Sequence, residues 1–417
     1  MSDVRTATKK DARKVATIIG EAFAPQNHDW VLDSCRRSPE EWVVLEHENE
    51  IVSACRVTVQ ALRVGTCQIN KGDVGMVGTL PHLQRQGHGS ELMAGLDEQL
   101  RERDCQVGRL GGLMRFYSRF GWEPFPRRTV EFPLRSSHAG TQVMWPDEYL
   151  EPPLSFMGDV VPYDPKAHYE ARASLHEAFY GQRSGAQVVA FRETVLREGP
   201  DETGLRVTCV LDGDAVGYML AEERPDAGPA DAQVEIEEFG FDPEHPDALG
   251  AMLVHILREA YARGAEMVVA RMPFDHAIER AMISAGVRFR WVETHSGPAG
   301  NMIRVIDPGE LMRRVCPELE RRLANSAVSD WSGEIAFCLP DGGSAVLEIG
   351  AGKVAAQDWA PGKIRVELDQ ATMVSLVLGI NGFGERATAQ MEGDSRLARA
   401  ACEALFPRCP TASGAWA

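Results

Sequence analysis

The order of apolar and polar residues divides the first third of the chain into alternating strands and helices. Apolar residues recur at helical spacing over residues 11–23 and again over 90–103. Between them lie extended runs rich in valine, and Pro81 ends the run GDVGMVGTL, because the residue before a proline favours extended backbone. A strand, QVGRLGG, and a short helix, LMRFYSRFGW, follow. This alternation predicts an α/β unit.

The same order of elements returns in the middle of the chain. A strand ending in proline, a helix, the strand AEMVVARMP and a helix ending at Gly286 repeat the lengths found in residues 73–125. Counting back from Gly121 and Gly286 places Met282 where the first copy has Tyr117. The second copy also has PEHPDALG in place of PHLQRQGHGSE. We therefore predict an internal duplication in which the first copy alone retains a site.

The last part of the chain has another pattern. From about residue 307, runs such as GEIAFCLPDGG and KIRVELD predict antiparallel strands with glycine-rich turns, and TMVSLVLGI and DSRLARAACEALF predict helices. A proline-bearing stretch over 146–153 is typical of a linker. The predicted class is α/β with an α+β C-terminal part, in three domains over residues 1–140, 152–306 and 307–417.

Composition supports this division and narrows the class of protein. A chain of 417 residues is too long for one ordinary domain, and 44% hydrophobic with 25% charged residues is typical of globular proteins. No apolar run approaches the roughly 20 residues of a membrane helix, and the N-terminal residues lack a secretory pattern. The nine cysteines form no CxxC pair, which favours reduced thiols. We expect a cytoplasmic protein without membrane insertion.

The net charge bears on the partners. A formal charge of −17 at pH 7 argues against nucleic acid, for which a basic surface is expected. A negative surface raises the local concentration of positive ligands, so the charge is compatible with a cationic substrate.

The stretch QRQGHGSEL carries the strongest chemical signal. It lies between a predicted strand and a predicted helix, an arrangement that presents free backbone N–H groups and the positive end of the helix dipole to a phosphate. Gly87 and Gly89 permit a close approach of the ligand, and Arg85 adds a positive charge. The stretch completes neither GxGxxG nor a P-loop. It predicts a phosphate-binding turn of another type.

Two motifs carry a resemblance to a known family. Gln84-x-x-Gly87-x-Gly89 resembles the pyrophosphate-binding signature of the coenzyme A-dependent N-acetyltransferases of the GNAT superfamily, and residues 117–121, YSRFG, resemble the Y-x-R-F-G motif of its enhanced intracellular survival family. Members of that family join a catalytic acetyltransferase domain, a degenerate second one and a sterol-carrier-like domain. They are bacterial enzymes that acetylate amines of aminoglycosides and some lysines. The resemblance therefore implies an acetyl-CoA-dependent N-acetyltransferase with tandem GNAT-like domains.

The resemblance also implies which residues hold acetyl-CoA. The strand before the turn is expected to pair with the pantetheine arm, the turn to bind the pyrophosphate, and the backbone upstream of the short helix to touch the cofactor. The family usually has a polar Ser/Glu pair where this chain has Gly112 and Leu113. The residues implied are Val77, Gly78 and Thr79 for the arm, Gln84, Arg85, Gln86, Gly87, His88, Gly89 and Ser90 for the pyrophosphate, and Gly112 and Leu113 for the upstream contact.

By the same resemblance Tyr117 is the general acid that protonates the departing sulfur. The family's base is the C-terminal carboxylate, here that of Ala417, although family members usually end in an aromatic residue. Asp73 is the alternative, since other branches of the superfamily place a glutamate base at that strand position. The implied acceptor is a primary amine of a cationic small molecule, aminoglycoside- or polyamine-like, or of lysine. A homo-oligomer, commonly a hexamer, is also implied.

Two histidines are further candidates for a catalytic or metal-binding role. We interpret His88 as a solvent-side loop residue whose backbone N–H matters more than its ring. His47 and Glu48 do not extend to HExxH, because Ile51 stands where the second histidine belongs, so no metal is expected. The competing hypothesis is a non-enzymatic protein that binds or senses lipid through the C-terminal domain, with LVLGINGFG lining an apolar tunnel.

Overall fold

The computed structural model describes residues 2–23, 25–138, 141–144, 155–188, 201–224, 233–273, 275–295, 297–357, 364–385, 390–392 and 396–412. They fall in two compact units. The first comprises Met1–Phe125 and His295–Arg408, and the second comprises Pro126–Thr294 with the residues from Cys409 onward. In the part of the chain that is described, no helix combines the length and the apolar character that a membrane crossing requires.

The first unit contains a seven-stranded sheet of order β1-β2-β3-β4-β5-β16-β6. Its neighbours are antiparallel except for β4 and β5, which run parallel. The strands are Ser2–Thr6 (β1), Trp42–His47 (β2), Glu50–Val64 (β3), Cys67–Thr79 (β4), Val107–Leu113 (β5), Glu123–Pro124 (β6) and Ala299–Val305 (β16).

Helices cover both faces of this sheet, because each presents one apolar stripe. The leucines of the predicted helix over 90–103 are fully buried in the core of one face, together with Trp122. On the other face the apolar stripe of the first helix packs with Trp42. The helices of this module are Ala12–Ala22 (α1), His28–Arg37 (α2), His88–Glu102 (α3) and Met114–Tyr117 (α4). Of these, α2 lies in a stretch whose sequence predicts no element.

The second unit contains another seven-stranded sheet, of order β10-β11-β12-β13-β14-β7-β15. Its parallel pair is β13 with β14, and α6 lies between them in the chain. The strands are Arg127–Pro133 (β7), Asp159–Pro162 (β10), Arg206–Leu211 (β11), Asp214–Arg224 (β12), Gln233–Phe241 (β13), Met267–Ala270 (β14) and Arg290–Thr294 (β15), and the helices are Pro165–Tyr180 (α5), Asp247–Ala262 (α6) and His276–Ser284 (α7). A short hairpin of Arg135–His138 (β8) and Thr141–Met144 (β9) forms a sheet of its own.

The two large sheets have the same sequence of pairings, which agrees with the predicted duplication. Each has four strands in antiparallel contact, then the parallel neighbour, then two antiparallel strands. Met282, the counterpart of Tyr117, is fully buried in the core of the second unit. The second copy thus has an apolar core residue where the first has a hydroxyl.

The sheets differ from the predicted domain boundaries in two strands. The boundaries at 140 and 306 assign β7 to the first domain and β16 to the second. Instead, β7 follows β6 in the chain but pairs with β14 and β15, and β16 follows β15 but pairs with β5 and β6. Each copy therefore receives its sixth strand from the other half of the chain. Periodicity identifies a strand but not its neighbours, so the exchange was not predictable.

A five-stranded sheet of order β19-β18-β17-β20-β21 forms the C-terminal part of the first unit. The prediction of antiparallel strands is wrong for one pair, because β17 and β20 run parallel. The elements are Pro308–Ala324 (α8), Gly333–Cys338 (β17), Ser344–Gly350 (β18), Lys353–Gln357 (β19), Ile364–Glu367 (β20), Gln370–Leu378 (α9), Gln390–Glu392 (β21) and Arg396–Leu405 (α10). Asp307 and Asp369 cap α8 and α9 by accepting backbone N–H bonds, as their side chains favour. The sterol-carrier likeness stays a prediction.

Candidate active site

A bulge in β4 opens the first sheet. In the pairing of β3 with β4, Ala54 lies opposite Gly78 and Arg56 opposite Gly75, so two residues of β4 face Cys55 alone. Within this bulge Met76 has a positive φ of 51°. A bulge bends its strand and increases the local twist. It thereby turns the end of β4 away from its neighbour β5.

The parallel pairing ends at the same place. β4 and β5 are in register from Lys71 with Val107 to Val74 with Leu110, and no further pair is formed in the described residues. Both strands continue beyond this point, to Thr79 and to Leu113. Their facing edges therefore enclose a wedge with unpaired backbone groups, which can pair with an extended amide-bearing chain. The predicted residues Val77, Gly78 and Thr79 lie along one side of the wedge.

The glycine turn lies directly after the end of β4 and begins α3. Gly87 is the N-cap residue, with a φ of 100° that a side chain would strain. Within the described residues, no group accepts a hydrogen bond from the backbone N–H of Gly87, His88 or Gly89. The N–H of Ser90 is already bonded to the Gly87 carbonyl, so only the serine hydroxyl is available to a ligand. Free amides at the positive end of a helix dipole are able to bind an anion.

Two glutamines of the turn form hydrogen bonds to nearby backbone carbonyls. Nε2 of Gln84 donates to the Thr79 carbonyl at 3.2 Å, and Nε2 of Gln86 donates to the His82 carbonyl at 3.1 Å. Their side chains thus hold the turn in shape. Arg85 is exposed and has a positive φ of 63°, which leaves its guanidinium on the surface.

His88 differs from the prediction. The interpretation as a solvent-side residue is wrong, because the residue is only 6% exposed and its ring lies 4.7 Å from that of His47. The reason is that α3 begins at His88 itself, so the residue belongs to a packed helix and not to an exposed loop.

Tyr117 lies on α4, at the end of β5, where the wedge is open. Its ring packs edge-on against Phe116, with ring centroids 4.9 Å apart. It also covers Gly112, where an added Cβ would lie 2.4 Å from Cε2 of the tyrosine. Gly112 is thus a surface for the ring as well as a predicted cofactor contact. Leu113, the last strand residue, is 63% exposed at the mouth of the wedge.

Burial raises the pKa of Tyr117 to about 12, and the Cys55 thiol adds a smaller contribution in the same direction. The neutral form of the phenol is therefore the stable one near neutral pH. No hydrogen bond of the hydroxyl is found among the described residues. A protonated hydroxyl without a partner can donate a hydrogen bond to an atom that gains negative charge during a reaction.

Asp73 occupies the paired part of β4, one residue before the wedge opens. Its Oδ2 lies 3.0 Å from Nζ of Lys71, and its Oδ1 lies 3.9 Å from Nη1 of Arg109. Lys71 is 2% exposed, and burial lowers its pKa. Oδ1 of Asp73 is buried without a hydrogen-bond partner. The carboxylate thus neutralises an enclosed ammonium group. Ala417, the other candidate base, lies outside the described residues.

Two neighbours of the site were missed by sequence reasoning. β16 pairs with the edge of β5 that faces away from the wedge, placing Gly300 opposite Gly112 and Asn301 opposite Gly111. Asn301 is fully buried and accepts a 2.6 Å hydrogen bond from Nε of Arg109. Nothing in the local sequence indicates this distant pairing. The bulge had a signal, since the glycines of GDVGMVGT are typical of an interrupted strand.

The part of the chain that contains this site matches the model of a known protein family. Residues 3–125 match the family model described as an acetyltransferase (GNAT) domain. The chain carries a GNAT acetyltransferase domain. The protein is accordingly an acyltransferase that depends on acetyl-CoA. Among curated proteins, none matches the sequence. The matched residues contain the wedge, the glycine turn and Tyr117.

Solved structures share the fold of this acetyltransferase over its whole length. A GCN5-related N-acetyltransferase from Anabaena variabilis ATCC 29413 has a TM-score of 0.66 at 12% identity, with 99% of this chain and 98% of that chain covered. One from Kribbella flavida has a TM-score of 0.65 at 15% identity, with 99% and 97% covered. Eis1 from Mycobacterium abscessus has a TM-score of 0.58 at 16% identity, with 99% of both chains covered. At such identities the likeness shows the fold.

Proposed function

We propose that this acetyltransferase moves the acetyl group of acetyl-CoA directly onto a primary amine of a cationic small molecule, aminoglycoside- or polyamine-like, or of lysine. The observation that carries the proposal is the wedge between β4 and β5, with the free amides of the glycine turn at one end and the neutral, half-buried phenol of Tyr117 at the other. Membership of the enhanced intracellular survival family is part of the proposal. The net charge of −17 supports a cationic acceptor.

In the proposed reaction the neutral amine attacks the thioester carbonyl and a C–N bond forms. The C–S bond then breaks, its electron pair goes to sulfur, and the amine proton goes to a base. Tyr117 stabilises the sulfur as it leaves. A phenol with a pKa of about 12 facing a thiol near 8.5 makes full proton transfer uphill by about 5 kcal/mol. Tyr117 therefore donates a hydrogen bond to the sulfur in the transition state. As its proton passes to the sulfur, the phenol is restored by the proton that the amine has given to the base, so that the products are the amide and the free thiol.

The raised pKa of Tyr117 determines the expected pH dependence. A phenol is protonated below its pKa, so a pKa of about 12 keeps the donor intact across the usual assay range. We expect kcat/KM to rise with pH until the acceptor amine has lost its proton, and not to fall at any pH up to about 10. Initial rates measured with a thiol reagent insensitive to pH test this. A fall in rate between about pH 8 and 10 contradicts the proposed state of Tyr117.

For the base we propose the carboxylate of Ala417, with Asp73 as the alternative. The Asp73 carboxylate is already engaged, because its Oδ2 lies 3.0 Å from Nζ of the buried Lys71. Breaking a buried ion pair by removing one partner costs about 3–5 kcal/mol, so this carboxylate is better suited to hold Lys71 than to act in the reaction. A carboxylate outside this ion pair has no such restraint.

Two variants separate these candidates. Deleting Trp416 and Ala417 is expected to lower kcat by about 100-fold or more with the acetyl-CoA affinity unchanged. Asp73→Asn is expected to lower the free energy of unfolding, because Lys71 loses its partner, and to keep most of the turnover of the folded fraction. Steady-state kinetics and thermal unfolding on both variants provide the readout. Full turnover in the truncated enzyme, with loss in folded Asp73→Asn, assigns the base to Asp73 instead.

A panel of acceptors tests the substrate class. Tobramycin-like aminoglycosides, spermidine and a lysine peptide are expected to react with higher kcat/KM than a neutral amine of similar basicity, and added salt is expected to reduce the difference. Equal rates for neutral and cationic acceptors contradict the proposed class while leaving acetyl transfer intact.

A further inference from the structure

Three side chains of types that bind metals lie close together at the first turn of α3. They are His47 at the end of β2, His88 at the start of α3, and Glu91 one turn further along the helix. One ligand atom from each lies within 4.8 Å of the other two. The two imidazole rings are 4.7 Å apart at an interplanar angle of 59°. The residues are 41 and 3 positions apart in the chain, so no local motif brings them to notice.

The ring of His88 has a nitrogen without a partner. Its side chain is 7% exposed, and Nδ1 is buried and forms no hydrogen bond within the described residues. The nearest acid, Oε2 of Glu91, is 3.8 Å away, which is too far for a hydrogen bond. An unsatisfied buried nitrogen costs free energy unless another group binds it. This nitrogen, 3.8 Å from the Glu91 carboxylate, is therefore available to an ion bound there.

His47 is fixed in a form suited to bind a cation. Its Nδ1 is hydrogen-bonded to Oγ of Ser2 at 2.8 Å, and the two residues are register partners in the β1–β2 pair. The second ring nitrogen is then available as a ligand. A metal-bound histidine usually has its other nitrogen hydrogen-bonded in this way. The tight turn after β2, where Glu48 and Asn49 both have positive φ, holds His47 in place.

We propose that His47, His88 and Glu91 bind a zinc ion. Two imidazoles and one carboxylate are a ligand set typical of Zn²⁺ with a fourth position left to water. The positive end of α3 disfavours a cation, and the Glu91 carboxylate offsets that field. The ion ties the β2–β3 hairpin to the start of the helix. This departs from the expectation that the protein binds no metal.

The geometry needs a modest adjustment. Ligand atoms about 2.1 Å from a tetrahedral zinc are separated by about 3.4 Å, so no pair has to approach by more than about 1.4 Å. Glu91 can move towards the ion by side-chain rotation, because its side chain is 43% exposed. Small rotations of the two imidazole rings supply the rest.

Thiols of this module compete poorly for the ion. The thiolate is the ligand form of cysteine, and burial raises the pKa of Cys55 and of Cys105 to about 12. Both stay protonated near neutral pH. Cobalt as a probe distinguishes the two cases, since thiolate ligands add an intense near-ultraviolet charge-transfer band and imidazole and carboxylate ligands do not.

The test is calorimetric titration of the full chain with zinc chloride, together with cobalt absorption. The half-exposed ligands are varied first, because truncating buried His88 can disturb the fold. His47→Gln and Glu91→Gln are each expected to weaken zinc binding by more than about tenfold, and Ser2→Ala by about tenfold through the orientation of His47. The unvaried chain is expected to bind one zinc with a rise in Tm.

His276→Gln is the matched control. His276 and Glu279 form a closer pair at the same spacing on α7, with Nδ1 and Oε2 3.2 Å apart, but they belong to no three-ligand cluster in the described residues. Zinc affinity is expected to be unchanged in this variant. The proposal is overturned if the unvaried chain binds no zinc, if His47→Gln and Glu91→Gln bind it as tightly as the unvaried chain, or if cobalt shows thiolate ligation.

Discussion

Tyr117→Phe is expected to lower kcat by about 100- to 10,000-fold while acetyl-CoA affinity and Tm stay unchanged. The ring of phenylalanine keeps the packing against Phe116 and Gly112. The hydroxyl has no hydrogen-bond partner among the described residues, so its removal breaks no bond of the folded protein. Only the hydrogen bond to the departing sulfur is lost, and that bond exists in the transition state alone. Steady-state kinetics with calorimetry of acetyl-CoA binding measure the effect.

Tyr218→Phe is the control for this change. The Tyr218 hydroxyl donates a 2.7 Å hydrogen bond to Glu238 in the second unit. Its loss is expected to lower the free energy of unfolding by about 1 kcal/mol and to leave kcat unaltered. Tyr117→Phe is thus expected to lose kcat and keep its stability, whereas Tyr218→Phe is expected to lose stability and keep its kcat. Retention of more than about a tenth of kcat in Tyr117→Phe contradicts a general-acid role for this residue.

Gly112→Ala is expected to reduce kcat by about 100-fold through displacement of Tyr117. An added Cβ lies 2.4 Å from Cε2 of the tyrosine ring, closer than atoms can approach, so the ring or the strand must move. The neighbouring Gly111→Ala is the matched control, because its Cβ meets no heavy atom within 4 Å. Gly111→Ala is expected to keep kcat and stability.

A double variant decides whether Gly112 acts through Tyr117. If the glycine only positions the ring, Gly112→Ala adds little to the effect of Tyr117→Phe, because coupled residues are not additive. Additive losses indicate instead that Gly112 contacts the substrate or cofactor directly. A Gly112→Ala enzyme with normal kcat contradicts the described packing of the ring.

The sequence predicts the local elements of this protein well and their long-range partners poorly. Leucine spacing predicts α3. The sequence also predicts that the short helix after β5 ends at Gly121, which has a φ of 77°. These features depend on neighbouring residues alone. By contrast, the pairing of β16 with β5 and of β7 with β14 joins segments more than a hundred residues apart. Such pairing is decided by tertiary packing, which periodicity does not encode.

The candidate site follows the same division. The glycine turn and the tyrosine motif each lie in one short segment, so both can be recognised by their similarity to the motifs of a known family. The wedge depends on a bulge at Met76 and on the end of the β4–β5 register, both of which appear only when the strands are paired. The sequence does not predict the burial of His88 at the start of α3, because a histidine between two glycines is typical of an exposed turn.

Calorimetric titration of the full chain with acetyl-CoA tests the central claim most directly, which is that the free amides of the glycine turn and the open edge of β4 hold this substrate. We expect one binding site per chain. We also expect loss of binding in Gly89→Ala without loss of Tm, because the added Cβ lies 3.6 Å from Phe116 and Thr79, an ordinary contact within the protein, on the path of the cofactor. Absence of heat with the unvaried chain, or unchanged binding in Gly89→Ala, contradicts the claim.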